Sequence, residues 1–286
     1  RTIVSQPALL HTLGRLAAAS GRHIHLVLEN DDNRATLLDP RQDPPAGRYR
    51  AQWNDDYHHG WHVLLTGEDT GYYRDYARPA AQVVRTLREG YAYQGEPSPN
   101  RGGEPRGEPS GHLPPGAFVD FIQNHDQIGN RPKGERLTAL ARPEPLAAAL
   151  AVLLLQPSPP LLFMGEEWGA TEPFPFFCDF SGDLADAVRK GRKREFADAY
   201  AKHGGADIPD PLAQATRDAA VLDWEALGKP PHRERLALTR ALLTVRRDHL
   251  VPLLPAIERG ADARIDDGVL AAEWRGGDRR LQLIAN

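Results

Sequence analysis

Three features of the sequence predict an α/β fold on parallel strands, of the (β/α)8 barrel kind. Short apolar runs alternate with helical patterns. Those runs are continuous rather than alternating, as strands covered on both faces are. Polar clusters fall just after them, at Glu29, residues 53–56, residues 124–126 and residues 165–167. In such a barrel the carboxyl ends of several strands build the active face. A doubly wound sheet would bind ligands in a crevice instead, but no strand-to-helix turn here is a Gly-rich phosphate loop.

The elements follow in order. In "PALLHTLGRLAAAS", Leu9, Leu10, Leu13, Leu16 and Ala17 share one helical face, and Gly21 can close the helix. "HIHLVLEN" reads as a short apolar strand and "YRAQWN" as a second. The helix "DDYHHGWHVLLTG" can be capped by Asp55 or Asp56 and ended by Gly67. "PAAQVVRTLREG" is a further helix with a glycine stop. "AFVDFIQ" is a third strand, "PEPLAAALAVLLLQ" a buried helix and "PLLFM" a fourth strand. "RERLALTRALLTVRRDHL" is a long amphipathic helix. After it, "RIDDGVLAAEWRGGDRRLQLIAN" alternates like strands joined by Asp-Gly and Gly-Gly turns. Two stretches resist this reading. Residues 95–116 repeat Gly-Glu-Pro three times; they read as irregular, either a flexible linker or a long functional loop. "EPFPFFCDFSGDLADAVRKGRKREF" packs aromatics into a loop.

The chain's 286 residues, 41% apolar and 26% charged, suit one large domain or one large domain with a small partner. A net charge of −4 gives no reason to expect nucleic acid or a membrane surface as partner. A single cysteine, Cys178, excludes an internal disulfide and fits a reducing compartment, the cytoplasm. The longest apolar run, "LAAALAVLLL", is too short for a bilayer, and no secretory signal is visible.

Two strand-end carboxyls could carry chemistry. Glu29 ends "HLVL" and is followed by Asn30, Asp31 and Asp32. As an ordinary turn it would be solvated; beside apolar strand walls, desolvation would favour its neutral form and suit a general acid. Asp126 ends the "FVDFIQNHD" strand beside His125, where both could simply pair with backbone. Two carboxyls serving one pocket are what glycosidic cleavage needs, one protonating the leaving oxygen while others stabilise or attack the cationic sugar centre. Aromatics near the strand ends could stack on sugars, although each alone reads equally as core. His58, His59 and His62 stand at helical spacing, but no HExxH or second ligand cluster supports a metal, and no cofactor is indicated. No G-x-S-x-G elbow supports a serine hydrolase.

In this order the clusters resemble the α-amylase superfamily, glycoside hydrolase family 13. "FIQNHDQIGN" is similar to its strand-seven motif and "HLVLEN" to its strand-five motif. The longer blocks "AQWNDDYHHGWHVLLTGEDTGYYRDYA", "NHDQIGNRPKGERL", "LLFMGEEWGATEPFPFFCDFS" and "VRKGRKREF" resemble the superfamily's trehalose-releasing hydrolases, from Gln6 to about Trp224. The resemblance implies the C-terminal half of a (β/α)8 TIM barrel, strands five to eight, over residues 1–255. The start of a small, truncated C-terminal β domain would occupy residues 256–286. It implies retaining hydrolysis of the α-1,4 bond next to the terminal trehalose of malto-oligosyl trehalose. Glu29 matches the acid/base, Asp126 the transition-state stabiliser, and His125 the sugar-binding histidine, with Asn124 beside it. Trp53, Asp55 and Asp56 match a block bordering the subsites. Glu166, Trp168, Phe174 and Phe176 match the loop that shapes the trehalose side; packing under that loop is the other reading of "FPFF". A branching enzyme would share the carboxyls but transfer to a sugar hydroxyl, and a non-catalytic carbohydrate-binding scaffold would need degenerate carboxyls.

The family's nucleophile is an aspartate ending strand four, and no block like it precedes Gln6. The expectation is therefore a chain cut at both ends, with Arg1, Thr2, Ile3 and Val4 lying just after the lost strand. Such a chain would be inactive alone, with strand edges left open.

Overall fold

The computed structural model describes residues 7–39, 49–195 and 208–286. Residues 1–4, expected to follow a lost strand, lie outside these, as does Phe196 of the "VRKGRKREF" block. The helices are α1 (Pro7–Ala19), α2 (Asp55–Thr66), α3 (Pro79–Glu89), α4 (His125–Gly129), α5 (Leu137–Leu140), α6 (Pro143–Leu155), α7 (Gly182–Glu195), α8 (Gln214–Ala219) and α9 (His232–Val245). The strands are β1 (Leu26–Leu28), β2 (Tyr49–Trp53), β3 (Glu96–Pro97), β4 (Pro105–Arg106), β5 (Phe118–Val119), β6 (Asp262–Asp266), β7 (Val269–Gly276) and β8 (Arg279–Ala285). They form two compact units. One comprises Arg1–Ile122, Ala147–Leu161 and Ala241–Asn286; the other comprises Gln123–Leu146 and Leu162–Arg240. Among the described residues no helix is long and apolar enough to cross a membrane.

In the first unit β1, β2 and β5 make a parallel sheet in that order, with Leu28 opposite Gln52 and Trp53 opposite Val119. Three of the predicted strands are thus present. The fourth, "PLLFM", is reduced to a single parallel bridge between Asp120 and Pro160. The Asp120 N–H donates to the Pro159 carbonyl (3.0 Å) and the Leu161 N–H to the Asp120 carbonyl (2.8 Å), while Pro159 and Pro160 have no N–H with which to extend the ladder toward the N-terminus. A core of Leu10, Leu28, Leu37, Leu38, Tyr49, Tyr91, Leu113 and Phe118 packs with this sheet. Helix α1 turns Leu10 and Gly14 inward, while Leu9, Leu13 and Leu16 are exposed at 40–63%, so the predicted apolar face is only partly covered.

Helix α2 is buried nearly all round, and Gly67 ends it in the left-handed conformation, as its sequence predicts. Its N-cap is Asn54, not Asp55 or Asp56. The Asn54 side chain makes no cap bond; its amide donates to the Gly90 carbonyl (2.9 Å) and to Asp120 Oδ1 (2.7 Å). Asp56, one residue into the helix, is completely buried. Its Oδ2 accepts from Asn33 Nδ2 (2.8 Å) and from the backbone N–H groups of Ala92 (2.7 Å) and Tyr93 (2.8 Å). Its Oδ1 accepts from Arg106 Nη2 (2.7 Å) and from the Tyr76 hydroxyl. With that hydroxyl proton committed to Asp56, the Tyr76 oxygen accepts from Arg106 Nη1 (3.0 Å). Burial holds His59 well below the usual imidazole range, so it meets Tyr76 as a neutral ring.

Arg106 belongs to the Gly-Glu-Pro segment, and here the irregular reading is corrected. Residues 95–106 form an ordered hairpin, β3 pairing antiparallel with β4 across a turn capped by Ser98. Composition rules out helix in such a segment, but it does not rule out a ribbon pinned by side chains. Ser98 Oγ donates to buried Asp75 (2.6 Å), as does the Asn100 N–H (2.7 Å). Gly107 cannot be replaced, because a Cβ there would lie 1.9 Å from the Tyr93 carbonyl oxygen at a φ of +88°.

Helix α6, apolar all round, is buried as its sequence predicts, with Leu150, Val152, Leu153 and Leu154 fully enclosed. The long helix predicted to run to Leu250 keeps α-geometry only to Val245 and continues as a π-turn, Arg246–Leu250. That turn sets the Arg246 guanidinium on the carbonyls of Leu154 (3.0 Å), Gln156 (2.5 Å) and Ser158 (2.9 Å). Strands β6, β7 and β8 form the predicted antiparallel meander, with Trp274 buried. Contacts group them with the first unit rather than setting residues 256–286 apart, and the Ala261 N–H donates to the Leu87 carbonyl (2.9 Å).

The second unit holds α4, α5, α7 and α8. Its apolar centre is Trp168, Ala170 and Leu222, with Leu227 and Leu236 against them. Helix α7 follows the aromatic loop and was not legible in the sequence as a periodic element.

Because the Asp56–Arg106 pair is buried and fully bonded, removing one partner strands the other. Arg106→Met is expected to cost about 3–5 kcal/mol in urea unfolding. Arg101→Ala, which breaks only pairs with exposed Asp31 and Asp32, is expected to cost under about 1 kcal/mol.

Candidate functional site

In the first unit the parallel sheet delivers Glu29 at the end of β1 and Trp53 at the end of β2. Glu29 is solvent-exposed, so the apolar walls expected around it are not supplied by the described residues. Trp53 is half-buried, edge-on to Phe121 at 5.9 Å, and Asp55 beyond it is half-buried. Asp56 is not open to a ligand, since protein donors occupy both of its oxygens. His58, His59 and His62 are core residues. His58 Nδ1 donates to the Ile122 carbonyl (2.6 Å) and its Nε2 meets the Tyr73 hydroxyl (3.1 Å). His62 stacks on Tyr73 at 4.1 Å and bonds Glu68 (2.7 Å). Among the described residues no group of three or more His, Cys, Asp or Glu side chains could hold a metal ion.

In the second unit the "NHDQIGN" stretch is a short helix rather than a strand tip. Asn124 is its N-cap: buried, with Oδ1 accepting from the N–H groups of Asp126 (2.9 Å) and Gln127 (3.1 Å). Asn124 therefore orients the turn rather than reaching outward. His125 and Asp126 are exposed, and Asn130 Nδ2 donates to Asp126 Oδ1 (2.7 Å). The aromatic loop is built onto this segment. The Phe174 N–H donates to the Gly134 carbonyl (2.7 Å), and a Cβ at Gly134 would lie 2.2 Å from Pro175 N. Arg192 from α7 lies over the Phe176 ring at 4.9 Å while its Nη2 donates to the Gly129 carbonyl (3.0 Å). Phe174 is half-buried between Phe163 (5.0 Å) and Phe177 (5.8 Å), whereas Phe176 is 40% exposed. The "FPFF" run is thus divided between packing and surface.

Trp168 and Glu166 lie inside the unit. Trp168 is core, its carbonyl bonded to His232 Nδ1 (3.0 Å) and its ring against Trp224 at 5.1 Å. Glu166 is 3% exposed; Oε2 accepts from the Phe163 N–H (3.0 Å), and Oε1 has no partner. Burial pushes its pKa up to about 8, against the pull of the Phe163 N–H and the Arg235 and Arg136 charges. A second buried carboxyl, Asp120 of the first unit, is pushed by burial to about 7 while Asn54 and Gln156 bond it. Sequence reasoning missed it, although an aspartate inside the apolar run "FVDFI" was the available signal.

A crystal structure of a Salmonella typhimurium protein assigned as an alpha amylase matches with a TM-score of 0.88 and 45% identity. The match covers 97% of this chain and 47% of that one. The parallel sheet, the polar strand ends and this likeness place the chain in the α-amylase superfamily. No protein-family model matches it. The malto-oligosyltrehalose trehalohydrolase of Deinococcus radiodurans is 44% identical over 197 residues, 68% of this chain and 33% of that protein. The enzyme of the same name from Rhizobium sp. (strain M-11) is 38% identical over 294 residues, 97% of this chain and 46% of that protein. The chain belongs to the malto-oligosyltrehalose trehalohydrolase family, and it spans less than half the length of these relatives.

Glu166 sets a pH dependence of stability. Its folded pKa lies above the ordinary 4.5, so the folded state holds a proton that the unfolded state releases between about pH 4.5 and 8. Stability is expected to fall as pH rises through that window, by at most roughly 1.4 kcal/mol for each pH step of one. Glu166→Gln should flatten this slope relative to the wild type in melts at several pH values across the window; an unchanged slope contradicts the burial account.

Proposed function

We propose that the protein acts as a retaining α-glycosidase. Its reaction would be hydrolysis of the α-1,4 bond joining a maltodextrin to its terminal trehalose unit, releasing trehalose. The observation that supports this most strongly is the 38% identity with a trehalohydrolase over 97% of this chain. In this reading Glu29 protonates the glycosidic oxygen as it leaves and then takes a proton from the attacking water. Asp126, held by Asn130 and by the N-cap of Asn124, offers negative charge to the oxocarbenium-like centre. His125 beside it bonds the sugar. Trp53, Asp55 and Phe176 are the remaining open candidates for substrate contact. No cofactor enters this chemistry.

The same reading assigns β1, β2, β5 and the bridge at Pro160 to strands five to eight of a (β/α)8 barrel, with β6, β7 and β8 opening a further β domain. The parallel strand order and the exposed Leu9, Leu13, Leu16 and Val27 support it. The nucleophile would then come from a strand outside this sequence, and the single cysteine fits work in the cytoplasm.

In the full-length protein, Glu29→Gln and Asp126→Asn are each expected to lower trehalose release from malto-oligosyl trehalose by about 10²–10⁴-fold. Wild-type turnover in either variant contradicts its assigned role, and a lengthened or branched glucan in place of trehalose would point to transfer. The 286-residue chain by itself should release no trehalose, and measurable release would overturn the assignment of the nucleophile.

A further inference from the structure

Glu29 stands at the end of a three-residue strand on the edge of the parallel sheet, with β2 as its ladder partner. A site acid needs its carboxyl held within a fraction of an ångström, and so short a strand supplies little of that constraint. The turn that follows Glu29 is tied down from elsewhere. The Asn30 carbonyl accepts from Gln52 Nε2 (2.7 Å), and Asn30 Oδ1 accepts from the Asp32 N–H (3.0 Å). Asn33 Nδ2 donates to Asp56 Oδ2 (2.8 Å) and to the Tyr93 carbonyl (3.3 Å), and further ties come from the Gly-Glu-Pro segment. Arg106 Nε donates to the Asp31 carbonyl (2.8 Å), and the Glu108 N–H donates to the Asn33 carbonyl (3.1 Å). Arg101, at the hairpin tip, spreads its guanidinium over Asp31 Oδ2 (2.9 Å), Asp32 Oδ1 (2.7 Å) and the Asp31 carbonyl (3.2 Å).

These ties divide by energy. Arg106 is buried with Asp56 and holds the hairpin base as part of the interior. Arg101 joins half-exposed to exposed carboxylates, which contribute little to global stability, yet it makes three bonds to the two residues just beyond Asn30. Its value is local, not global. We propose that the 95–106 hairpin is a clasp on the Glu29 turn, and that Arg101 is a positioning residue fixing the Glu29 carboxyl for proton transfer. The proposal rests on the acid/base reading of Glu29, and its tests separate the two.

Amide hydrogen exchange on the full-length protein reads the clasp without activity. Arg101→Ala should raise exchange across residues 28–33 by about tenfold or more, while amides of α2 stay as in the wild type. Arg101→Lys should fall between, since it keeps the charge but loses the planar fork. Asp32→Asn, which weakens the same contact from the other side, serves as the second variant and should loosen the same amides. Wild-type exchange at residues 28–33 in both Arg101→Ala and Asp32→Asn overturns the clasp. In the full-length protein, Arg101→Ala should lower kcat on malto-oligosyl trehalose by roughly 10–100-fold with KM within about twofold, and Arg101→Lys should recover part of it. Loosened amides with unchanged kcat, in a protein that Glu29→Gln inactivates, would overturn the positioning role. If Glu29→Gln keeps full turnover, the acid/base reading fails, and the positioning role falls with it even where exchange shows the turn to be clasped.

Discussion

The first unit depends on one buried ion pair. Asp56 and Arg106 meet in an interior formed from α2, the 3-10 turn Gly71–Tyr76 and the hairpin, where an unpaired charge would be costly. Five donors on one carboxylate mean that Asn33, Tyr76, Ala92, Tyr93 and Arg106 must all arrive together. That requirement explains why a segment of glycines and prolines, with little propensity of its own, takes a single conformation. It also fixes the position of Asn33, which sits at a φ of +51°, and so the path of the chain just after Glu29.

The second unit uses a different device for the same purpose. Asn124 caps the turn that carries His125 and Asp126, accepting the N–H groups of Asp126 and Gln127 while both His125 and Asp126 stay at the surface. Arg192 and the Gly134–Phe174 bond hold the aromatic loop to that turn. In each unit, then, exposed side chains proposed to act on the substrate rest on buried, hydrogen-bonded polar side chains.

Much of this was legible in the sequence. Strands β1 and β5 were readable because short apolar runs with polar ends leave few alternatives, and α6 because it is apolar on every side. The glycine stops at Gly67 and Gly90 were equally plain. The fourth strand is shorter than "PLLFM" suggests: it pairs only through the Asp120–Pro160 bridge, and Pro159 and Pro160 lack the N–H groups that would extend the ladder toward the N-terminus. Asp56 reads in sequence as a substrate residue because an aspartate just after a strand looks the same whether it faces water or an arginine. Its partner lies fifty residues away in a stretch whose composition signals only irregularity. The burial of Glu166 is hidden for a related reason: "GEEW" shows two acids but not which one the 3-10 turn drives inward. Pairings between distant polar residues leave no periodic trace, and they decide most of the site's framework.

These residues are proposed to belong to a glycosidase that retains configuration and delivers trehalose. The most direct test is the anomeric form of the first product, followed by NMR as the full-length protein cleaves malto-oligosyl trehalose. Free trehalose together with a shortened maltodextrin released initially as the α-anomer is expected. Initial release of the β-anomer, or no cleavage at the bond next to trehalose, would contradict it.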